Sequence, residues 1–323
     1  MLQVWLDKKN GTVWDMSTLV TSAVWKTSRI GKAGCLDLTF VRSALYQSKD
    51  FTFENGDNLR VSKEGVDFFN GYVFTIDRSA DDTVRLLAYD QLRYLMANES
   101  YVFRDVTAAD VVRRIADDFG LKTGALAASR HRIPLLLQDN KKLMDMIVRA
   151  LDLTLIADKK IYVLYDDFGA LTLRDAEEMI FDLSIGEGSG MLGYSHSASI
   201  DSETYNRIKL VQNNKSNGRR DVYIAYDSNA IDRWGRLQLY QVADEGMNRA
   251  QLEELAVQLL RYRNRESKTL KADALGDIRV RAGGYVKLRV DALGIDERML
   301  VQECSHEFRG DEHIMKLDLK VVD

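Results

Sequence analysis

The sequence is poor in proline and cysteine. Pro134 is the single proline among 323 residues, where average usage would give about sixteen. The domains are therefore expected to be joined by ordinary ordered turns rather than by proline-rich linkers. Cys35 and Cys304 are too few for a disulfide framework and fit a reducing compartment. Each lies in a strand-like run, which predicts that both are small buried apolar residues.

Long apolar runs and a basic N-terminal region are also missing. No run of about 18 apolar residues occurs, so no membrane span is predicted. The N-terminus lacks the basic segment and apolar run of a secretory signal, so the protein is expected to stay in the cytoplasm where it is made. The formal net charge of −4 argues against a dedicated nucleic-acid binder, which is usually basic.

What the chain does contain is typical of a folded, soluble protein. Hydrophobic residues make up 46% and charged residues 29% of the sequence. The length predicts about two domains, each large enough for its own core.

A stretch near the start of the chain is repeated near its end. Residues 56–89 and residues 284–321 each contain a glycine-led strand, a turn, a second strand, a tight polar turn and a final strand. Any two β-meanders resemble one another to some degree. Because order, turn placement and spacing all agree, duplication is the preferred interpretation.

The first 100 residues are predicted to be β-structure. The runs Val20–Lys26 and Cys35–Val41 alternate apolar with polar or small side chains, which places one strand face on a core and the other towards solvent or a partner. Five or six short strands separated by glycines indicate a small barrel or sandwich.

Residues 101–180 are predicted to form a compact α+β domain. Thr107 and Asp110 make a capping-box start for a helix that ends at Gly120. A second helix is predicted from Lys142 to Leu151. A hairpin follows, with its turn at Asp166–Gly169.

The third part of the chain returns to strands. Four glycines between Gly186 and Gly193 predict a flexible connection, and Tyr194–Ile200 and Asn206–Gln212 are predicted strands. Asn217-Gly218 is a hairpin signal, further strands flank Trp234-Gly235, and a helix capped by Asn248 is predicted to reach Arg263.

No sequence motif is specific enough to predict a catalytic or metal-binding site. Asp167-Phe168-Gly169 copies a kinase tripeptide without its companion motifs and is interpreted as a hairpin turn. His306, Glu307 and His313 have the wrong spacing for zinc, and the four histidines are scattered. Cys304 and His306 share a strand face, which is interpreted as a chance pair. The predictions are therefore no catalytic residue, no cofactor and no metal.

The pattern resembles the XkdQ/YqbQ-type hub proteins of phage-like tails, relatives of the late-control D proteins and of the hub part of type VI secretion spikes. The resemblance covers essentially the whole chain and contains no catalytic signature. It is carried by the N-terminal β unit, the helix after Thr107, the closing β unit, and two further segments, Asn206–Val211 and Arg233–Gln238.

The resemblance implies an α+β, mostly β fold with two tube-like β-barrels and an α+β domain between them. The first barrel would be residues 1–100, and the α+β domain would be residues 101–193, joined by the insertion 213–266. The second barrel would be residues 194–323, interrupted by that insertion. In this scheme Tyr194–Gln212 is an early strand of the second barrel.

The resemblance further implies a non-enzymatic structural protein, the baseplate hub of a contractile or other phage-like tail. It would form a homotrimer with a central channel, and its partners would be the tail tube protein, the spike protein, the tape-measure protein and other baseplate proteins. It would be made in the bacterial cytoplasm and end in the virion or particle tail, with no membrane span and no reading of nucleic-acid sequence. A cell-wall-degrading enzyme of the same apparatus is the alternative.

Overall fold

The computed structural model describes residues 2–42, 48, 50–201, 203–214, 219–243 and 247–320. The chain divides into two compact units, Met1–Ser195 with Lys271–Asp323 and His196–Leu270. The fold is mostly β, as the sequence predicts. None of the helices in the described ranges is long and apolar enough to cross a membrane.

The larger unit begins with strands that alternate buried and exposed side chains. In one of them Leu36, Leu38 and Phe40 are fully buried while the residues between them are half-buried. A 3-10 helix, Gln91–Met96, closes this part. The strands are β1 Leu2–Asp7, β2 Val13–Asp15, β3 Val20–Ser28, β4 Cys35–Val41, β5 Asn58–Lys63, β6 Val66–Arg78 and β7 Thr83–Tyr89.

The predicted α+β segment follows. An antiparallel ribbon of β8 and β10 and a small β11-β12-β9 sheet accompany two helices, whose apolar faces share one core with Leu171 and Leu173. The elements are β8 Asn98–Val106, α1 Ala108–Asp118, β9 Thr123–Leu126, β10 Ile133–Lys142, α2 Leu143–Asp158, β11 Tyr162–Asp166 and β12 Leu171–Asp175.

The local signals in this segment are largely confirmed. Thr107 and Asp110 form the capping box of α1, and Gly120 follows the helix with a positive φ of 63°. Helix α2 ends at Asp158 rather than at the predicted Leu151. The sequence pattern did not show where the helix ends, because the apolar Leu155 and Ile156 lie on its exposed face and break the helical period.

The Asp167-Phe168-Gly169 motif is a hairpin turn, as predicted. Asp167 and Ala170 exchange both backbone hydrogen bonds, at 2.8 and 3.2 Å. Phe168 and Gly169 have φ angles of 49° and 94°, the two positive values that a type I′ turn requires.

The glycine-rich segment is shorter and more ordered than predicted. A 3-10 helix, Ala176–Glu178, leads into β13 Ile180–Gly186, and β14 Met191–Ser199 begins after one tight turn. Ser189 donates its backbone N–H to the Gly186 carbonyl at 2.9 Å. The expected flexible connection is thus a hydrogen-bonded turn between two strands.

The smaller unit is a three-stranded sheet with helices. Ile208 and Leu210 of its central strand pack on Ala256. Arg207–Asn214, the second of the two strands predicted within 194–212, pairs here and not in the large sheet, because alternation cannot tell which sheet a strand joins. The elements are β15 Arg207–Asn214, β16 Arg219–Tyr226, α3 Ser228–Trp234, β17 Gln238–Val242 and α4 Arg249–Arg263.

Helix α4 has the predicted capping box, formed by Asn248 and Gln251. Helix α3 was not predicted, because its seven residues are too few to show a helical period. The predicted Asn217-Gly218 turn lies outside the described residues.

The last part of the chain returns to the large sheet with β18 Ser267–Leu275, β19 Tyr285–Val290, β20 Ile295–Arg309 and β21 Glu312–Lys320, and a 3-10 helix, Asp291–Leu293, lies between β19 and β20. The strand order is β14-β18-β21-β20-β3-β4-β7-β6-β5-β1-β2, with β19 beside β20 and β13 beside β19. Over the described residues this path does not close on itself, so both repeats lie in one open sheet.

The first copy of the sequence repeat is the β5-β6-β7 meander. Tyr72 of β6 lies opposite Asn58, where β5 begins, and opposite Tyr89, where β7 ends. Two residues further on, the β6·β7 register shifts and leaves Phe74 as the extra residue of a bulge.

The second copy, β19-β20-β21, has the same registers. Leu300 of β20 lies opposite Tyr285, where β19 begins, and opposite Lys320, where β21 ends. Two residues further on, Gln302 is the extra residue of a bulge. The repeat in the sequence is therefore a repeat of strand order, register and bulge position.

Gly71 offers a test of how tightly the first copy is packed. A methyl group at this position would lie 2.6 Å from the Phe69 ring and even closer to the Tyr89 carbonyl oxygen. We expect Gly71→Ala to lower the unfolding free energy of the larger unit by about 2–3 kcal/mol, because overpacking forces backbone shifts. Urea unfolding can be followed through Trp5, Trp14 and Trp25, which all lie in that unit.

Gly193→Ala is the matched control. Gly193 also lies in a strand of the large sheet, has no positive φ, and a methyl group there would meet nothing within 4 Å. The unfolding free energy of Gly193→Ala should stay within about 0.5 kcal/mol of that of the parent chain. Equal midpoints for the two variants would contradict the packing described for Gly71.

Candidate functional site

One face of the large sheet carries polar side chains while the other covers the core. On β4, Asp37 and Thr39 lie on the polar face, and Leu36 and Leu38 point into the core. The same alternation occurs on β21, where Leu317 and Leu319 are buried and Asp318 is half-buried.

The pairing register carries this polar face from one repeat into the other. Residues directly opposite one another on paired strands point to the same face. Two rows that cross the strands are Asp77, Arg85, Thr39 and Ser22, and Cys35, Lys26, Ser305 and Lys316. We call this surface the polar face.

Charges of both signs are paired on the polar face. Arg85 forms an ion pair with Asp37, and Lys316 with Glu307 at 2.6 Å. The hydrogen bond that Lys316 donates to Glu307 raises the pKa of Lys316. Because charges of opposite sign lie side by side in these pairs, they do not add up to the single-sign field that would attract a polyanion.

The polar face ends at strand edges without a partner. The first part of β6 pairs with β5, but beyond Val73 its residues Thr75–Arg78 have β7 on one side and no described strand on the other. At the opposite end of the sheet, β14 pairs with β18 alone among the described strands. These are the two open edges.

In the second repeat the position matching the β6 edge is occupied. The first part of β20 pairs with β19, and after the Gln302 bulge its residues Glu303–Arg309 pair with β3. Strand β3 therefore fills, within the chain, the place that is empty beside β6.

A chain of hydrogen-bonded polar groups, with His306 buried and Lys63 and His313 half-buried, lies at the junction of β3 and β20. Lys63 Nζ is 2.9 Å from His313 Nδ1, and His313 Nε2 is 2.9 Å from His306 Nδ1. His306 Nε2 is 2.8 Å from the Val280 carbonyl. Since an ammonium can only donate, His313 accepts at Nδ1 and donates from Nε2, and His306 donates to the carbonyl. Both imidazoles are then neutral.

The surroundings of the two rings favour the neutral form. Burial lowers the pKa of His306 to about 4. Burial, together with the electrostatic effect of the neighbouring His306 and Lys63, lowers the pKa of His313 to about 3. The contact between these two histidines was not predicted, because it is the β20–β21 hairpin that brings together side chains seven residues apart in the sequence.

Cys304 and His306 also meet, but not as a nucleophile and its base. The Cys304 thiol is 3.2 Å from His306 Nε2, which already donates to a carbonyl. Burial raises the pKa of Cys304 well above its usual range, so the thiolate does not form. Cys35 is half-buried, and the described residues contain no group of three or more His, Cys, Asp or Glu placed to hold a metal.

A second buried cluster connects three parts of the larger unit. Arg281, in the loop before β19, lies 3.9 Å over the Tyr165 ring and donates to the Asp166 carbonyl at 3.1 Å. Burial raises the pKa of Asp90 and of Asp166, and the charge of Arg281 opposes both shifts. Asp90 also accepts the backbone N–H of Gly34 at 2.9 Å. These two acids are buried structural groups, not an acid pair open to a substrate.

We expect Arg281→Gln to lower the unfolding free energy by about 3–5 kcal/mol, because it leaves two buried carboxyl groups without their cation. Arg279→Gln is the control. Arg279 is exposed, and its ion pair with Asp277 is expected to contribute less than about 1 kcal/mol. Urea midpoints at neutral pH measure both, and similar losses would contradict the role given to Arg281.

The neutral histidines predict a fall in stability with acid. Their pKa values in the folded chain lie below the ordinary value of about 6.5, so the unfolded chain binds protons that the folded chain does not. Stability from this source is complete above about pH 6.5 and is lost as the pH falls towards 4. Urea midpoints between pH 7.5 and about 4.5 measure the loss.

His313→Gln should reduce this loss, because an amide can accept from Lys63 and donate to His306 without titrating. His196→Gln, at an exposed position, is the control and should keep the parent pH profile. Identical profiles for the two variants would show that the buried histidines do not cause the loss.

Comparison with known proteins identifies the family. The YQBQ-like family model matches residues 23–320. The chain is 31% identical to the phage-like element PBSX protein XkdQ of Bacillus subtilis over 273 residues, 83% of this chain and 82% of that protein.

Two solved structures share the fold. One is the 43 kDa tail protein of prophage MuSo2 from Shewanella oneidensis, with a TM-score of 0.72 and 14% identity over 98% of each chain. The other is a tail protein from Neisseria meningitidis MC58, with a TM-score of 0.74 and 12% identity over 99% of this chain and 96% of that one. The chain therefore belongs to the YQBQ-like family.

Proposed function

We propose that this chain is the structural hub of a phage-tail baseplate, in which three copies form a ring with a central channel between the tail tube and the spike. The observation that carries the proposal is the repeat of β5-β6-β7 by β19-β20-β21, with the same registers and bulge position. Three chains with two like modules each present six modules to a sixfold tube.

In this arrangement the first module is the strand-rich region 1–100 and the second is 194–323, interrupted by the insertion 213–266, whose sheet also takes in β15. The region 101–193 is the α+β domain between them. The two modules supply arcs of a tube-like wall that closes only in the ring. This accounts for an open sheet in the single chain.

The polar face is proposed to line the channel. Its neighbouring charges of opposite sign give no single-sign field on which a passing protein would be held. A channel that passes a tape-measure protein needs such a surface. Because the face continues from β6 through β3 to β21, each chain contributes one uninterrupted stretch of wall.

The proposed role needs no catalysis. Its partners are the tail tube protein, the spike protein, the tape-measure protein and other baseplate proteins, and the hub reaches the particle after assembly in the bacterial cytoplasm. The cell-wall hydrolase alternative gains no support from Asp90 and Asp166. Both are buried and hydrogen-bonded to backbone amides, so they could not reach a polysaccharide.

The copy number in assembled tails tests the proposal. We expect a cryo-EM reconstruction to show three chains at the tube-to-spike junction, with the polar face towards the axis. A hub made alone can stay monomeric until its neighbours template the ring, so the measurement belongs on tails rather than on the isolated protein. One copy, six copies or none at this junction would overturn the proposal.

A further inference from the structure

The two open edges match each other through the internal repeat. In the second repeat the edge of β20 beyond the bulge is filled by β3, and in the first repeat the edge of β6 beyond the bulge is open. The missing neighbour of β6 is therefore the counterpart of β3.

Strand β14 is that counterpart. In the first repeat the order is β3-β4-β7, and in the second repeat it is β14-β18-β21. Strand β3 uses one edge for β4 and the other for β20. Strand β14 uses one edge for β18, and no described strand occupies the other.

Two hydrogen bonds align the β18 side of the second repeat. Gly276 donates to the His313 carbonyl, and Leu275 donates to the Gly190 carbonyl, both at 2.8 Å. Antiparallel partners extended from these bonds place Lys271 opposite both Asp318 and Tyr194. Lys271 lies near Asp318, as this register requires.

The first repeat has the same row. Asp37 lies opposite both Leu87 and Val24. Since Asp37 corresponds to Lys271, Tyr194 holds the place of Val24, and the next residue, Ser195, holds the place of Trp25. His306 lies four residues beyond the bulge of β20, opposite Trp25. Arg78 lies four residues beyond the bulge of β6 and is therefore the counterpart of His306.

We infer that β14 of one copy pairs antiparallel with Thr75–Arg78 of β6 in the next copy, with Arg78 opposite Ser195. This inference rests on the proposed function, because it needs a ring of copies. To the proposed function it adds which two strands pair between copies and in which register. The contact is heterologous, since an edge of one repeat meets a different edge of the other, and such contacts close into rings.

The chemistry of the edges fits a second copy better than solvent. Unpaired strand edges leave backbone donors and acceptors that another strand can take up. Strand β14 exposes 55% of Leu192 and 40% of Tyr194, which is unusual on an edge strand that stays in water. Pairing with β6 would satisfy the backbone groups and cover part of this apolar surface.

A disulfide tests the register. Residues directly opposite on antiparallel strands have Cα atoms about 4.5–5.5 Å apart, within the range of about 4.4–6.8 Å that a disulfide spans. Tails assembled from the variant Arg78→Cys with Ser195→Cys should, after mild oxidation, yield covalent dimers and trimers on a non-reducing gel. The single-cysteine variants Arg78→Cys and Ser195→Cys measure any background cross-linking through Cys35.

The matched control moves one cysteine by a single residue. Arg78→Cys with Tyr194→Cys places the two thiols on opposite faces of the sheet, because one residue reverses the side of a strand. This pair should give at least tenfold less covalent product. Equal cross-linking by both pairs, or covalent dimers from Ser195→Cys alone, would overturn the register.

The outcomes separate this inference from the proposed function. Three copies in a ring without cross-linking would overturn the strand pairing and leave the hub role standing. No ring at all would overturn both. If the cysteine variants fail to assemble, hydrogen exchange on the unmodified chain decides. Amides of residues 75–78 and 191–195 should gain protection on entering the tail, and unchanged exchange in both segments would overturn the pairing.

Discussion

The rest of the larger unit depends on the antiparallel pairing of β3 with β20. This pairing joins strands from opposite ends of the sequence, and without it the two repeats would be separate meanders. With it, the polar face runs unbroken across both repeats, and the buried face forms one core, in which Trp25 stacks on His306 with ring centroids 5.1 Å apart and contacts Phe68. The same pairing fills the edge of β20 and so determines which edges stay open.

Buried polar groups make this junction specific as well as stable. A buried donor or acceptor without a partner costs free energy, and a fully paired network costs little but tolerates only one arrangement. The row from Lys63 through His313 and His306 to the Val280 carbonyl is complete only in the observed register. A slip of one residue would turn His306 to the polar face and bring its neighbours into the core. Arg281 likewise makes the contact between the first repeat and the α+β segment specific. There, the buried carboxyl groups of Asp90 and Asp166 need its positive charge.

Much of this architecture follows from local patterns in the sequence. The repeat, the alternating strands and the capping boxes at Thr107 and Asn248 are local signals, and the structure has all of them. The partners of strands are not local. Nothing in Arg207–Asn214 shows that it pairs with β16 rather than in the large sheet, and nothing in residues 303–309 shows that β3 is their neighbour. The His306–His313 contact was missed for the same reason, since it needs the hairpin register and not the spacing.

The differences between the two repeats explain how one chain can fold first and assemble later. Within the chain, the junction sets Trp25 against His306 in a buried aromatic cluster, so this pairing is part of the folded core. At the proposed junction between chains, Ser195 and Arg78 take those two places. The charge of Arg78 at the β6 edge limits unwanted strand pairing in the free chain. In the proposed ring the backbone geometry of this sheet connection is shared and its side chains are not, so the connection belongs to the fold inside a chain and forms between chains only on assembly.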